Sequence, residues 1–230
     1  MTASRPLADR LRPATLDDLV GQERWLGPEG PLRQELDRGR LTSMVLWGPP
    51  GCGKTTLARL LASRTNALFL PMSAVFDGVK ALRGAMERAK VARQMEKRDT
   101  ILFVDEIHRW NKAQQDALLP HVEAGDVILV GATTENPSFE LNAALRSRVR
   151  LVRLEPLSEA ELQVVLRRAL THDEGLGERE LTAPDEVLAS IARASGGDAR
   201  QALGDLERAT AGLPDGGELT PEHLQKALLD

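Results

Sequence analysis

The chain of 230 residues is 42% hydrophobic and 28% charged with a net charge of −4, proportions of a soluble globular protein holding one large domain or a medium domain with a small companion. Cys52 is its single cysteine, which excludes an internal disulfide and fits a cytoplasmic chain. No run approaches the roughly 18 apolar residues of a membrane span, and the N-terminal MTASRPLADRLRP lacks the apolar segment of a secretory signal. The charge is uneven. Residues 1–155 carry 23 Lys+Arg against 19 Asp+Glu, a net +4, and residues 156–230 carry 7 against 15, a net −8. A general nucleic-acid coat is therefore excluded, and any contact with DNA belongs to the first part. With four Phe, three Trp and no Tyr, stacking of single-stranded bases on an aromatic platform is not the main mode of binding.

In chain order, five apolar segments read as strands: 43–47, 68–72, 101–105, 127–132 and 149–154. Their near-continuous Ile/Leu/Val character is that of strands buried on both faces, and helical patterns separate them, so a five-stranded parallel sheet flanked by helices is expected. Between the second and third, residues 77–98 hold seven basic side chains. Val79, Leu82, Met86 and Ala89 share one helical face that should be core, and Lys80, Arg83, Lys90 and Lys97 fall on an adjacent stripe. That stripe is either a solvated helix face or a phosphate-tracking surface, with Arg109 and Lys112 nearby. After the fourth strand, SFELNAAL reads as a helix.

The pattern changes at Pro156. SEAE at 158–161 is a capping box, and Leu162, Val165, Leu166 and Ala169 repeat at helical spacing. APDEVLASIARASGG is a second helix closed by Gly196-Gly197, DARQALGDLERAT a third, and TPEHLQKALL a fourth begun by Thr220 and Pro221. The expected division is a nucleotide-binding α/β domain over 1–156 and a small all-α lid over 157–230.

The first strand runs into GPPGCGKTT, residues 48–56, which fits G-x-x-x-x-G-K-[ST] in full and sits between a strand and a helix. Such glycines let backbone N–H groups curl around phosphate oxygens, and the following helix points its positive end at them. Gly48, Pro50, Gly51, Cys52, Gly53, Lys54, Thr55 and Thr56 are the expected nucleotide contacts. Lys54 should reach the β/γ-phosphates, and Thr55 should ligate Mg²⁺. Cys52 reads most simply as a small loop residue. The third strand ends ILFVDEIH, which brings Asp105 to the metal through water and Glu106 to the attacking water. A P-loop with Asp-Glu at that strand end is a hydrolysis site, and the cofactors are ATP and Mg²⁺.

These motifs, with GATT and a helical tail bearing GGDARQAL, resemble an AAA+ ATPase. More narrowly, LADRLRPATLDDLVGQ, SMVLWGPPG, FVDEIHRWNKAQQDALLPHVE and GATTENPSFELNAALRSR resemble the RarA/MgsA family of replication-associated recombination proteins, related to the Werner-helicase-interacting proteins. The resemblance covers nearly the whole chain. It implies a γ-phosphate-sensing role for Thr134, or for Thr133 if the register slips by one. It implies an arginine finger at Arg148 that reaches the neighbouring subunit's ATP, and a second phosphate sensor at Arg200. Arg146 and Arg150 read as surface arginines.

The segment 1–25 would contact adenine and ribose at Pro13, Val20 and Gly21, and Ser73 would pair with Glu106 in an inactive state. Lys80, Arg83, Lys90 and Lys112 would meet DNA without regard to sequence, at forks or ends. Cys52, often Thr in the family, and Trp110, often Phe, are the departures. Family members continue into a helical oligomerisation domain, whereas this sequence stops at Asp230. The expectation is a homo-oligomer in the full-length family and a monomer here, nucleoid-associated in the cytoplasm, with single-strand-binding protein as a partner and no membrane. The implied activity is a DNA-stimulated, assembly-dependent ATPase that remodels stalled forks. The alternative is a clamp-loader-like switch in which hydrolysis is a timer.

Overall fold

The computed structural model describes residues 5–229, with side chains to residue 226. Five strands form one parallel sheet: β1 (Met44–Trp47), β2 (Leu68–Ser73), β3 (Thr100–Asp105), β4 (Ile128–Thr133) and β5 (Arg150–Arg153), in the order β2-β3-β4-β1-β5. The order puts β1, β3 and β4 inside, and these are the strands whose sequences read as uninterrupted apolar runs. Met44, Val45 and Leu46 are fully buried, as are Ile101, Leu102 and Val104. Pro71 lies on the edge strand β2, where a missing N–H is tolerated. The fold is the α/β P-loop architecture expected from the sequence.

The described residues separate into two compact units, one of 22–49 and 54–155 and the other of 5–21, 50–53 and 156–229. In the first, helices Pro31–Asp37 (α1), Lys54–Arg64 (α2), Val79–Val91 (α3) and Lys112–Glu123 (α4) accompany the sheet. Their apolar faces bury Leu57 and Leu61 from α2, Leu82, Met86 and Ala89 from α3, and Leu118 from α4. Val79, expected on the core face of α3, is exposed. It is the first residue of the helix, one turn short of the layer that Leu82 begins. Past Val91 the helix widens into a π-turn over Ala92–Glu96 and ends at Lys97 in the left-handed region, φ 55°, so the helical pattern to residue 98 ends in a loosened turn.

The second unit holds helices Glu159–Thr171 (α5), Asp185–Ala194 (α6), Ala199–Thr210 (α7) and Pro221–Leu229 (α8). Ser158 and Glu161 form the expected reciprocal cap of α5, and Gly196 and Gly197 take φ of 56° and 94° after α6. The core joins Leu162 and Leu166 to Leu188, Ile191, Leu203 and Leu206. Leu7 is also in it, fully buried, and its N–H donates to both oxygens of Glu207 at 3.1 and 3.0 Å. The division expected at residue 156 grouped this N-terminal segment with the sheet, but its packing puts it among the helices. Leu7 and Leu11 stand one helical turn apart and pack on the same core, but so short a repeat in the sequence does not say which core it joins.

Asp205 on α7 is 2% exposed; Arg208 donates to one carboxylate oxygen, and the other has no hydrogen-bond partner among the described residues. Burial raises its carboxyl above the ordinary 3.8, against the opposing pull of Arg208. A carboxyl raised on folding binds its proton more tightly in the folded state, so stability falls as pH rises from acid through the folded value. Asp205→Asn should therefore raise the unfolding midpoint at pH 7, by about 2–4 °C if the gain is near 1 kcal/mol. The advantage should shrink toward pH 4, as calorimetry at the two pH values would show.

Candidate nucleotide site

The functional side chains of the sheet unit gather where β1, β3 and β4 end. This is where a parallel sheet with helices on its faces opens a crevice. Past Trp47, Gly48 donates its N–H to the Thr133 carbonyl at 3.2 Å, so the start of the loop continues the β1–β4 pairing for one residue. At the first residue of α2, Lys54 turns back over the loop. Its Nζ donates to the carbonyls of Gly48 and Pro49, each at 2.7 Å. Thr55 and Thr56 follow, half-buried.

Beyond the apolar body of β3, Asp105 accepts the Glu106 N–H at 3.2 Å. Glu106 takes φ 53°, a left-handed conformation that a non-glycine residue holds only where its surroundings impose it. The turn that follows, Ile107–Arg109, supplies that constraint. Ile107 is fully buried, and Arg109 donates its N–H to the Glu106 carbonyl at 2.8 Å. The same turn aims His108 inward. Its Nδ1 stands 3.2 Å from Glu106 Oε2 and 2.9 Å from the hydroxyl of Thr133, the last residue of β4. Thr133 is 1% exposed and accepts the Glu135 N–H at 3.0 Å. Thr134 is the exposed residue just beyond it.

In the helical unit, the loop residues Gly51 and Gly53 have φ of 68° and 97°, the left-handed turns that let consecutive N–H groups face one point. Gly51 also has no room for a side chain, because a Cβ there would fall 1.8 Å from Asp198 Oδ1 and 2.8 Å from Asp198 Cα. Asp198 caps α7, accepting the N–H groups of Arg200 and Gln201 at 2.8 and 3.0 Å. Arg200 is exposed on the first turn. Cys52 is buried, 3% exposed. The segment holding Pro13, Val20 and Gly21 is half-buried, and Arg168 of α5 donates to the Asp18 carbonyl at 2.6 Å.

The arginines divide by their partners. Arg148 is exposed, and its Nε pairs with Glu123 at the end of α4. Its guanidinium also donates to the Ala144 carbonyl and the Ser147 hydroxyl, both at 2.9 Å. Arg146 donates to the Ser138 carbonyl at 2.5 Å, and Arg150 pairs with Glu35. The helix expected across SFELNAAL is two single turns, Pro137–Glu140 and Ala143–Arg146. Asn142 breaks it by capping the second turn through the Leu145 N–H at 2.8 Å.

Of the residues expected to meet DNA, Lys80, Arg83 and Lys90 are exposed on α3, and Lys112 is exposed at the start of α4. Trp110 Nε1 donates to the Asp77 carbonyl at 3.2 Å, which fastens the turn before α3 to the segment bearing Arg109 and Lys112. Lys90 also lines a groove of about 820 Å³ with Arg93, Lys97 and Arg98, opposed by Glu87, Asp99 and Asp126. The expected Ser73–Glu106 pair is not among the hydrogen bonds of the described residues. The Ser73 N–H takes Asp77 at 2.8 Å, and Glu106 meets His108.

The family model described as "ATPase family associated with various cellular activities (AAA)" matches residues 44–157. The replication-associated recombination protein A of Coxiella burnetii is 50% identical over 203 residues, covering 88% of this chain and 46% of that protein. The ATPase WRNIP1 of Dictyostelium discoideum is 44% identical, covering 89% of this chain and 23% of that protein. The chain belongs to the RarA/MgsA family of AAA+ ATPases. Among solved structures, the RuvB Holliday junction branch migration motor of Thermotoga maritima aligns with a TM-score of 0.76 at 30% identity, over 96% of this chain and 72% of that one. This RarA/MgsA chain spans about half the length of the recombination proteins it matches.

Family motifs account for Lys54, Thr55, Asp105 and Glu106, but the residues that meet Glu106, Gly51 and Arg148 carry no such signal. His108, Asp198 and Glu123 are ordinary polar residues whose partners lie 25, 147 and 25 positions away in the chain. The position of His108 three residues past Asp105, within the strand-end motif, was the one available signal. Within the sheet unit the donor set suits Mg-ATP: the Lys54 ammonium on the loop, the Thr55 hydroxyl at the helix start and the strand-end Asp105 carboxylate. Among the described residues no cluster of three His, Cys, Asp or Glu side chains suggests another metal centre, and no helix is long and apolar enough to cross a membrane.

Proposed function

We propose that the chain binds and hydrolyses Mg-ATP and couples hydrolysis to work on DNA at stalled forks or DNA ends. The observation that carries the hydrolytic reading is the pair Asp105–Glu106 at the end of β3, with the Glu106 carboxylate held at His108 and not left to rotate freely. Binding alone needs no such carboxylate.

Bound Mg-ATP supplies the phosphoryl group and the cation that offsets its charge. The N–H groups of Gly51, Cys52 and Gly53 would face the phosphates, and Lys54 would exchange its loop carbonyls for β/γ-phosphate oxygens. Thr55 and Asp105 would hold the magnesium. Glu106 would orient the attacking water and accept its proton, Thr134 would read the γ-phosphate, and Arg200 would report from α7. Pro13, Val20 and Gly21 would border the base. Arg148 would act on the site of a second copy, which makes the active species an oligomer. Lys80, Arg83, Lys90 and Lys112 would meet DNA phosphates, so binding should be indifferent to sequence and fall steeply with salt. The names of the relatives, a replication-associated recombination protein and a Holliday junction branch migration motor, support DNA as the object of the work.

Steady-state hydrolysis measured with and without forked DNA, over a range of chain concentrations, tests this. A rate per chain that climbs with concentration and with DNA is the expected result. An appreciable rate indifferent to DNA would move the reading to an ATP-timed loader that recruits protein partners.

A further inference from the structure

The oxygens around His108 bear on which ring nitrogen carries the proton and what it holds. His108 Nδ1 faces two oxygens, Glu106 Oε2 at 3.2 Å and Thr133 Oγ1 at 2.9 Å. An ionised carboxylate only accepts, so a bare Nδ1 lone pair would face it with nothing to share. The Thr133 hydroxyl has one hydrogen, and the Glu135 carbonyl lies 3.3 Å away to take it, while the Glu135 N–H donates back to the same oxygen at 3.0 Å. Nδ1, the Glu106 carboxylate and the Thr133 hydroxyl are all satisfied if Nδ1 carries a hydrogen, directed between Glu106 and Thr133.

We infer that His108 is a positioning residue whose Nδ1–H ties the Glu106 carboxylate to the end of β4. The inference rests on the hydrolytic reading of Glu106 proposed above. The tie is selective in what it controls. His108 approaches Glu106, which handles the water, and not Lys54 or Asp105, so it sets the aim of the general base without sharing in nucleotide binding. It also gives Thr133 a role separate from that of Thr134. The buried hydroxyl inside β4 receives the histidine, and the exposed neighbour is left to the phosphate. A shift of the 133–135 turn would then change how the one N–H is shared between its two acceptors.

The test has two readouts on the chain as it stands. The first is the tautomer, read from two-bond ¹⁵N–¹H correlations of labelled protein without nucleotide. A protonated Nδ1 is expected, with its N–H resonance displaced by Thr133→Val and by Glu106→Gln. A bare Nδ1 overturns the inference, whether or not the chain hydrolyses ATP. The second is kinetic. His108→Ala should lower kcat about 10–100-fold, the scale for a misaimed reacting group, with KM for ATP within about twofold. His108→Asn, whose amide N–H falls where Nδ1–H stands, should restore most of the rate, and His108→Gln, whose amide falls nearer Nε2, should not. Equal loss in Ala and Asn, or a rise in KM matching the fall in kcat, would sink it. If wild-type chain and its concentrated assembly hydrolyse nothing, the ATPase reading fails and the tautomer alone decides this one.

Discussion

Glu106→Gln should bind ATP as tightly as the wild type and hydrolyse it about 10²–10⁴-fold more slowly, the range for loss of a general base. Glutamine keeps the size of the side chain and an oxygen for the His108 N–H, but it accepts no proton from water. Lys54, Thr55 and Asp105, which the binding step would use, are untouched. Equilibrium titration with a fluorescent ATP analogue and a single-turnover measurement separate the two effects. A single-turnover rate within threefold of wild type would remove Glu106 from the chemistry, and loss of affinity would make it a binding residue. If the chain is instead a switch timed by hydrolysis, this variant should hold its partner longer than the wild type does.

Arg148→Ala should cost 10³–10⁵ in turnover, the range for arginine fingers in other nucleotide hydrolases, with ATP affinity close to wild type. Its guanidinium sits against Glu123 in the single chain, and the two side chains are 39% and 48% exposed. Exposed pairs contribute about 0–1 kcal/mol, so leaving Glu123 for a neighbour's phosphate is inexpensive, and Glu123→Ala should change little. The decisive measurement is complementation. An Arg148→Ala chain has an intact site and no finger, and a Glu106→Gln chain has the finger and a disabled site. Mixed, they should recover activity that neither shows alone. No recovery across a wide concentration range would make Arg148 act within its own chain or not at all.

The parts of this molecule that could be read from sequence are those whose physics is local. Val-Leu-rich segments such as ILFV at 101–104 declare burial on both faces, and β3 is found there with one residue added at the start. The reciprocal cap at Ser158 and Glu161 is a contact between residues three apart and needs nothing else to form. What could not be read depends on partners distant in sequence. Leu7 looks like any leucine in a polar N-terminus until α5, α6 and α7 surround it. The break at Asn142 is a competition between two helical turns, and Asn142 also bonds to Asp116 of α4 at 2.9 Å, which favours the break. His108 was visible as a letter in a strand-end motif, but its role exists only because β4 brings Thr133 alongside. The widened turn after Val91 has no marker in ARQME that we can identify.

Pro71 on β2 has a consequence for how copies of this chain can meet. The outermost strand of an open sheet is a row of backbone groups on which another strand can template itself. A proline there removes a donor midway along β2, and the opposite margin, β5, is four residues long with an arginine at each end. Neither margin invites a foreign strand to extend the sheet. Copies that come together would then meet through surfaces other than the sheet margins. Assembly that forms and dissolves with each round of nucleotide is compatible with such a surface, whereas an open, unblocked edge is a template for aggregation.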